Sequence, residues 1–190
     1  TNNLENERKR ITNILSDSGY YKFNKDYIIY EADSTRTNDS IDVNLKLMKF
    51  RVNSKSPEKD HNRYYINKVN FTSADGDKIK LRRSVLSDNL AIKEGAPFCE
   101  HDLQTTYNNF ARLQAVKYTN IRFEELPDTS LLNCNIQLST NKPNTISFQP
   151  EGTNTAGDLG AAASLTYENR NLFHGSEMLS IQLRAAFEAI

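Results

Sequence analysis

The chain has 190 residues, enough for one or two small domains, each burying a modest core. Lys plus Arg equal Asp plus Glu at 24 each, so no bulk charge directs it to nucleic acid or an anionic surface, and partner recognition must come from shape and backbone. An apolar fraction of 37%, with nine Tyr and nine Phe, places it among folded chains; no stretch approaches the roughly 20 apolar residues of a membrane helix.

The first predicted element is an amphipathic helix over residues 3–18. Asn2 with Glu5 has capping-box spacing, Leu4, Ile11, Ile14 and Leu15 share a face, and Gly19 suits a left-handed cap. Next comes a strand over Asp26–Ala32, then a polar turn over Asp33–Asp39. A second strand follows, in which Ile41, Val43, Leu45 and Leu47 alternate with Asp42, Asn44 and Lys46, as expected of one buried face. Asn53–Asn62, with Pro57 and several charges, has linker composition.

The second half extends the same plan. Tyr64–Ser73 reads as a strand and Leu81–Leu90 as a short helix; Leu103, Tyr107, Phe110 and Leu113 have helical spacing. Tyr118–Leu126 and Leu132–Leu138 read as strands. Residues 41–47 match residues 132–138 almost type for type, each run preceded by a helix, a strand and a turn, so one supersecondary unit occurs twice. That alignment sets Cys134 opposite Val43 and makes it a small core residue. The expected helix-on-sheet core is Ile66, Val69, Phe71, Phe110, Leu113, Leu132, Cys134 and Ile136.

From Asn144 three strands share a two-residue period: Ile146, Phe148 and Pro150; then Ala161, Ala163, Leu165 and Tyr167; then Leu179, Ile181, Leu183, Ala185 and Phe187. Segments of about ten residues with one apolar and one polar face suit transmembrane β-strands, although a half-exposed soluble sheet has the same period. Cys99 and Cys134 have no CxxC partner and form no metal spacing with His61, His101 or His174. Cys99-Glu100-His101-Asp102 reads as a helix start, and sequence leaves open whether the cysteines are bonded.

The order strand-helix-helix-strand-strand resembles the POTRA (polypeptide-transport-associated) domain. Asn169-Arg170-Asn171-Leu172-Phe173-His174-Gly175-Ser176-Glu177 is similar to the Asn-Leu-Phe-Gly turn between early barrel strands of the BamA/TamA superfamily, with His174 intruding before the glycine. Leu90–Tyr118 resembles the family's second-helix signature running into the next strand.

This resemblance implies an α+β chain in three parts. Residues 1–53 are a partial POTRA module, reduced to its C-terminal helix and strand pair, and 62–143 a complete module with helices on a small mixed sheet. Residues 144–190 are the first antiparallel strands of an outer-membrane β-barrel, cut far short of the roughly eight needed for closure. Thr1 is therefore expected to fall inside a module.

The implied protein is an outer-membrane assembly factor of a Gram-negative bacterium, mainly periplasmic over this region, without catalytic residues, cofactor, metal or nucleic acid. Its implied partners are unfolded outer-membrane client proteins or accessory subunits, captured by strand addition, and the membrane itself. The candidate client edges are Tyr118, Thr119, Asn120, Ile121, Arg122 and Phe123, with Tyr27 and Ile29 in the partial module. The implied lipid-facing positions are Leu165, Tyr167, Leu179, Ile181, Leu183 and Phe187, and without lipid the chain is expected to self-associate through 144–190. A surface antigen or adhesin that binds a ligand, or an accessory secretion or division component, are the other readings.

Overall fold

The computed structural model describes residues 2–33, 41–155 and 158–188. Past Asp33, the turn expected over Asp33–Asp39 lies outside the described residues. The elements are α1 (Asn2–Asp17), a 3-10 turn (Lys25–Tyr27), β1 (Ile28–Asp33), β2 (Asp42–Leu47), β3 (Tyr65–Ser73), α2 (Arg83–Asp88) and α3 (Glu100–Ala111). Then come β4 (Val116–Glu125), β5 (Leu131–Thr140), β6 (Asn144–Thr155), β7 (Asp158–Asn169) and β8 (Leu179–Glu188). From β3 to β5 the order is strand, helix, helix, strand, strand.

The strands form a β1-β2 pair, a three-stranded sheet ordered β3-β5-β4 and a three-stranded sheet ordered β6-β7-β8. Two compact units divide the chain. One holds Thr1–Asn70, Ala91–Thr105 and Phe123–Cys134; the other holds Phe71–Leu90, Thr106–Arg122 and Asn135–Ile190.

In the first unit, Glu5–Arg8 and Glu7–Arg10 pairs one turn apart support α1. Gly19 ends it at φ +103°, where a Cβ would also meet Pro97 and the Tyr64 carbonyl at 3.4 Å. Asp17 then accepts the His101 N–H at 2.8 Å, satisfying an orphan donor of the first turn of α3; Cys99 lies just ahead of this helix start, as read.

Two aromatic clusters fill this unit: Tyr21 meets Tyr64, Phe98 and Phe123 edge-to-face, and His61 meets Phe23 and Tyr27 edge-to-face while those two rings are tilted against each other. The segment read as a linker is instead a closed loop. Phe50 and Lys59 exchange both backbone bonds at 2.9 and 3.0 Å, and His61 joins the second cluster. Apolar Phe50 and the His61 ring hold down a stretch whose composition is otherwise that of a linker.

Antiparallel pairing sets Ile28 opposite Leu47, Tyr30 opposite Leu45 and Ala32 opposite Val43. Contrary to the expected buried face, β2 is exposed throughout, with Val43, Leu45 and Leu47 each about half exposed. It pairs on one side only, and α1 buries no residue fully.

β5, the central strand of its sheet, behaves oppositely: Leu132, Cys134, Ile136 and Leu138 are fully buried. Phe110 and Thr106 of α3 are equally inaccessible, and Ile66 is buried, while Val69, Phe71 and Leu113 are half-buried. In the second unit the Phe71 and Phe110 rings meet edge-on, 6.0 Å apart. Each fully buried Leu, Ile or Phe side chain contributes about 1.5–3 kcal/mol.

Candidate functional site

β3 and β4 are the edges of the middle sheet, but they are not equivalent. The outer side of β3 is closed by its own loop: Ile66 N–H donates to the Ala96 carbonyl at 2.9 Å, Gly95 N–H to the Ile66 carbonyl at 2.7 Å, and Val69 N–H to Glu94 at 2.8 Å. Gly95, at φ +77°, makes that turn possible.

Among the described residues no loop closes β4 in this way. At Ile121 its N–H donates to the Tyr107 hydroxyl at 2.9 Å, and that hydroxyl lies 3.4 Å from the Ile121 carbonyl. The Ile121 backbone therefore faces α3 and not β5. Backbone groups alternate along a strand, so Thr119 and Phe123 face outward with Ile121, while Asn120 and Arg122 face β5. Of the six β4 residues read as client-binding, Thr119 and Phe123 can offer main-chain bonds to an added strand, and Ile121 can do so only if the Tyr107 hydroxyl leaves. The side chains of Tyr118 and Arg122 are exposed.

Between α3 and this edge lies a groove of about 310 Å³ lined by Tyr107, Asn108, Ala111, Val116, Lys117, Tyr118 and Thr119. The Thr119 hydroxyl is buried and has no hydrogen-bond partner among the described residues. A hydroxyl left so is costly unless an incoming group satisfies it. Reading Tyr107 only as part of the apolar helix face missed its role; the signal available was a phenol where Leu103, Phe110 and Leu113 are wholly apolar.

In β1 both named residues have their backbones engaged with the neighbouring segment of the chain. Tyr27 lies in the 3-10 turn, and its carbonyl already accepts from the Met48 N–H at 2.7 Å. Tyr27 and Met48 are thus a hydrogen-bonded pair, and Ile29 with Lys46 is the next one along the ladder. Both turn their backbones to the partner strand, so the outward row is Ile28, Tyr30 and Ala32.

The β6-β7-β8 sheet is an antiparallel meander whose register brings the large apolar side chains to one face. Phe148, Leu165 and Leu183 line up across the three strands, as do Ile146, Tyr167 and Ile181, and Leu179 and Phe187 fall on the same side. That face is open: Phe148 and Leu183 are each 66% exposed and Phe187 73%, with Leu165 and Ile181 also exposed and Tyr167 and Leu179 half-buried. The opposite face carries Ser164, only 2% exposed, Ala162, and an Arg184–Glu151 pair at 2.8 Å.

The turn from β7 to β8 is built from polar contacts. Asn171, 8% exposed, donates to the Lys80 carbonyl at 2.6 Å and accepts from the Ser176 N–H at 3.1 Å. The Ser176 hydroxyl accepts from the Ala115 N–H at 2.9 Å. Glu177 accepts from the Gly175 and Phe173 N–H groups and pairs with Arg82 at 2.5 Å. Bonds from backbone N–H groups, with the Arg82 charge beside them, lower its pKa. A Cβ at Gly175 would collide with Arg82 and Glu177 at about 2 Å, while His174 and Ser176 hold φ of 60° and 64°. Sequence identified the motif but not these partners, since Lys80, Arg82 and Ala115 are remote along the chain.

Cys99 and Cys134 are both free thiols. Burial raises the Cys99 pKa and pushes that of Cys134 up to about 12, which keeps both protonated. Among the described residues no group of three or more His, Cys, Asp or Glu could hold a metal ion.

The fold is α+β, with three small sheets and few helices, of the kind found in BamA. No protein-family model and no curated protein sequence matches the chain. Among solved structures, BamA from Haemophilus ducreyi lacking POTRA domains 1–3 matches 99% of this chain at 14% identity and a TM-score of 0.63, over 31% of its own length. CdiB from Acinetobacter baumannii matches 98% at 16% identity and a TM-score of 0.51, over 30% of its length. At these identities the likeness is one of fold alone. The chain spans about a third of the length of either protein.

Proposed function

We propose that this chain is the membrane-proximal part of a Gram-negative outer-membrane assembly or secretion factor. Its β4 edge receives extended client strands or accessory subunits from the periplasm, and β6, β7 and β8 begin the barrel that takes them up, with no catalysis of its own. The observation that carries this reading is the inverted sheet, with Phe148, Leu183 and Phe187 outward and Ser164 inward. Lipid wets such a face favourably where water does not. The β4 edge supplies the rest: outward main-chain groups beside a groove with an unsatisfied hydroxyl suit capture with little sequence demand. Without lipid the same face pairs with a second copy.

Photo-crosslinking with a purified, urea-unfolded outer-membrane barrel protein tests the capture step. A crosslinker replacing Tyr118 on β4 is expected to capture the client, while one at Tyr65 on β3, where the loop already closes the edge, is not. Equal yields at both positions would remove β4 as the receiving edge.

An adhesin-type reading would use the cavity of about 340 Å³ lined in part by Tyr20, Phe23, Met48 and His61. Of its lining rings, Phe23 and His61 pack edge-on against each other at 5.0 Å, and Tyr27 meets the His61 ring edge-on at 4.5 Å, so these rings are engaged with one another. That reading stays second.

A further inference from the structure

An antiparallel strand joins an edge residue by exchanging two bonds with it, one to its N–H and one from its carbonyl. At Ile121 both groups are already engaged by one side-chain atom. The Tyr107 hydroxyl accepts from the N–H at 2.9 Å and donates back toward the carbonyl at 3.4 Å. Its phenol is half-buried at the lip of the groove, and a rotation of the side chain would free the edge. Free edges are templates for indiscriminate pairing, and a covered one is not.

We propose that Tyr107 is the gate of the β4 edge: its hydroxyl occupies the place of an incoming strand at Ile121, and an extended peptide must displace it to bind. This deepens the reading of β4 as the receiving edge and rests on it. The gate sets two conditions on the client. The residue opposite Ile121 must supply both an N–H and a carbonyl, so proline is excluded there. Binding is also weakened by about the worth of one neutral hydrogen bond, a factor of roughly two to ten in affinity. A gate of that size discourages chance encounters yet yields to a client that makes several main-chain bonds.

Tyr107→Phe keeps the ring and removes the gate. A short, lysine-capped fluorescent peptide of alternating Val and Thr, titrated by anisotropy, is expected to bind the variant about two- to tenfold more tightly than the wild type. In the free variant the Ile121 amide is expected to exchange with solvent faster, and denaturant titration checks that the variant is folded. N-methylation of the peptide residue opposite Ile121 is expected to abolish the gain. Equal affinity for wild type and variant, with Thr119→Pro still blocking the peptide, would overturn the gate and leave β4 as the edge. Weaker binding to Tyr107→Phe would also overturn it, since the hydroxyl would then serve the client directly. No binding to either protein would overturn the gate together with the reading it rests on.

Discussion

β2 and β5 carry the same alternation of apolar and polar residues and have opposite fates. Leu132, Cys134, Ile136 and Leu138 are sealed, whereas Val43, Leu45 and Leu47 stand about half exposed. β5 has a strand on either side; β2 has one partner. A two-residue period thus states which face of a strand is apolar, not whether anything covers it. The β6-β7-β8 sheet extends the lesson: its pattern fits a soluble sheet or a membrane one equally, and its apolar face stands exposed.

The sharpest way to break the comparison is to truncate matched residues. Ile136→Ala is expected to cost about 2–5 kcal/mol, the usual range for emptying a sealed core site. Leu45→Ala, its counterpart, is expected to cost about 1 kcal/mol or less, because half of that side chain is already in water. Denaturant titration of both decides it, and equal losses would mean that β2 is covered in solution.

Element order was legible because periodicity, the repeat of 41–47 in 132–138 and the turn motif all lie in the local chain. What escaped the sequence depends on neighbours distant along it. Whether Ile29 or Thr119 faces outward is fixed by a ladder's hydrogen-bond register, set for β1 by Met48 and for β4 by Tyr107. Pairing of Asn171 with Lys80 and of Glu177 with Arg82 joins residues more than 90 apart.

The turn offers the next contrast, between a strand pair tied to other elements and one that is not. Asn171→Ala strands the Lys80 carbonyl and the Ser176 N–H and is expected to cost about 1–3 kcal/mol. Asn44→Ala, on exposed β2, is expected to fall within about 0.5 kcal/mol. A smaller gain is expected from Thr119→Val, which removes a buried, unsatisfied hydroxyl: stability should rise by about 1 kcal/mol or less by denaturant titration. A loss there would show that the hydroxyl has a partner in solution.

The smallest effect is a pH dependence. Bonds from backbone N–H groups and the Arg82 charge lower the pKa of Glu177, so its contribution is present above its unfolded value, near 4.5, and lost as pH falls through the lower folded value. Protection of the Phe173 and Gly175 amides against hydrogen exchange is therefore expected to hold at pH 6 and fade only below about 4.5. Glu177→Gln should lack that fade.

Spin labels on the last sheet, with the chain reconstituted in lipid nanodiscs, test the central claim most directly. Labels at Phe148, Leu165 and Leu183 are expected to relax strongly with oxygen dissolved in the acyl chains, while labels at Gln149 and Gln182 respond instead to a water-soluble nickel chelate. Equal response at all five positions, or a pattern in which the polar positions meet the acyl chains, would contradict the assignment of this sheet to the membrane.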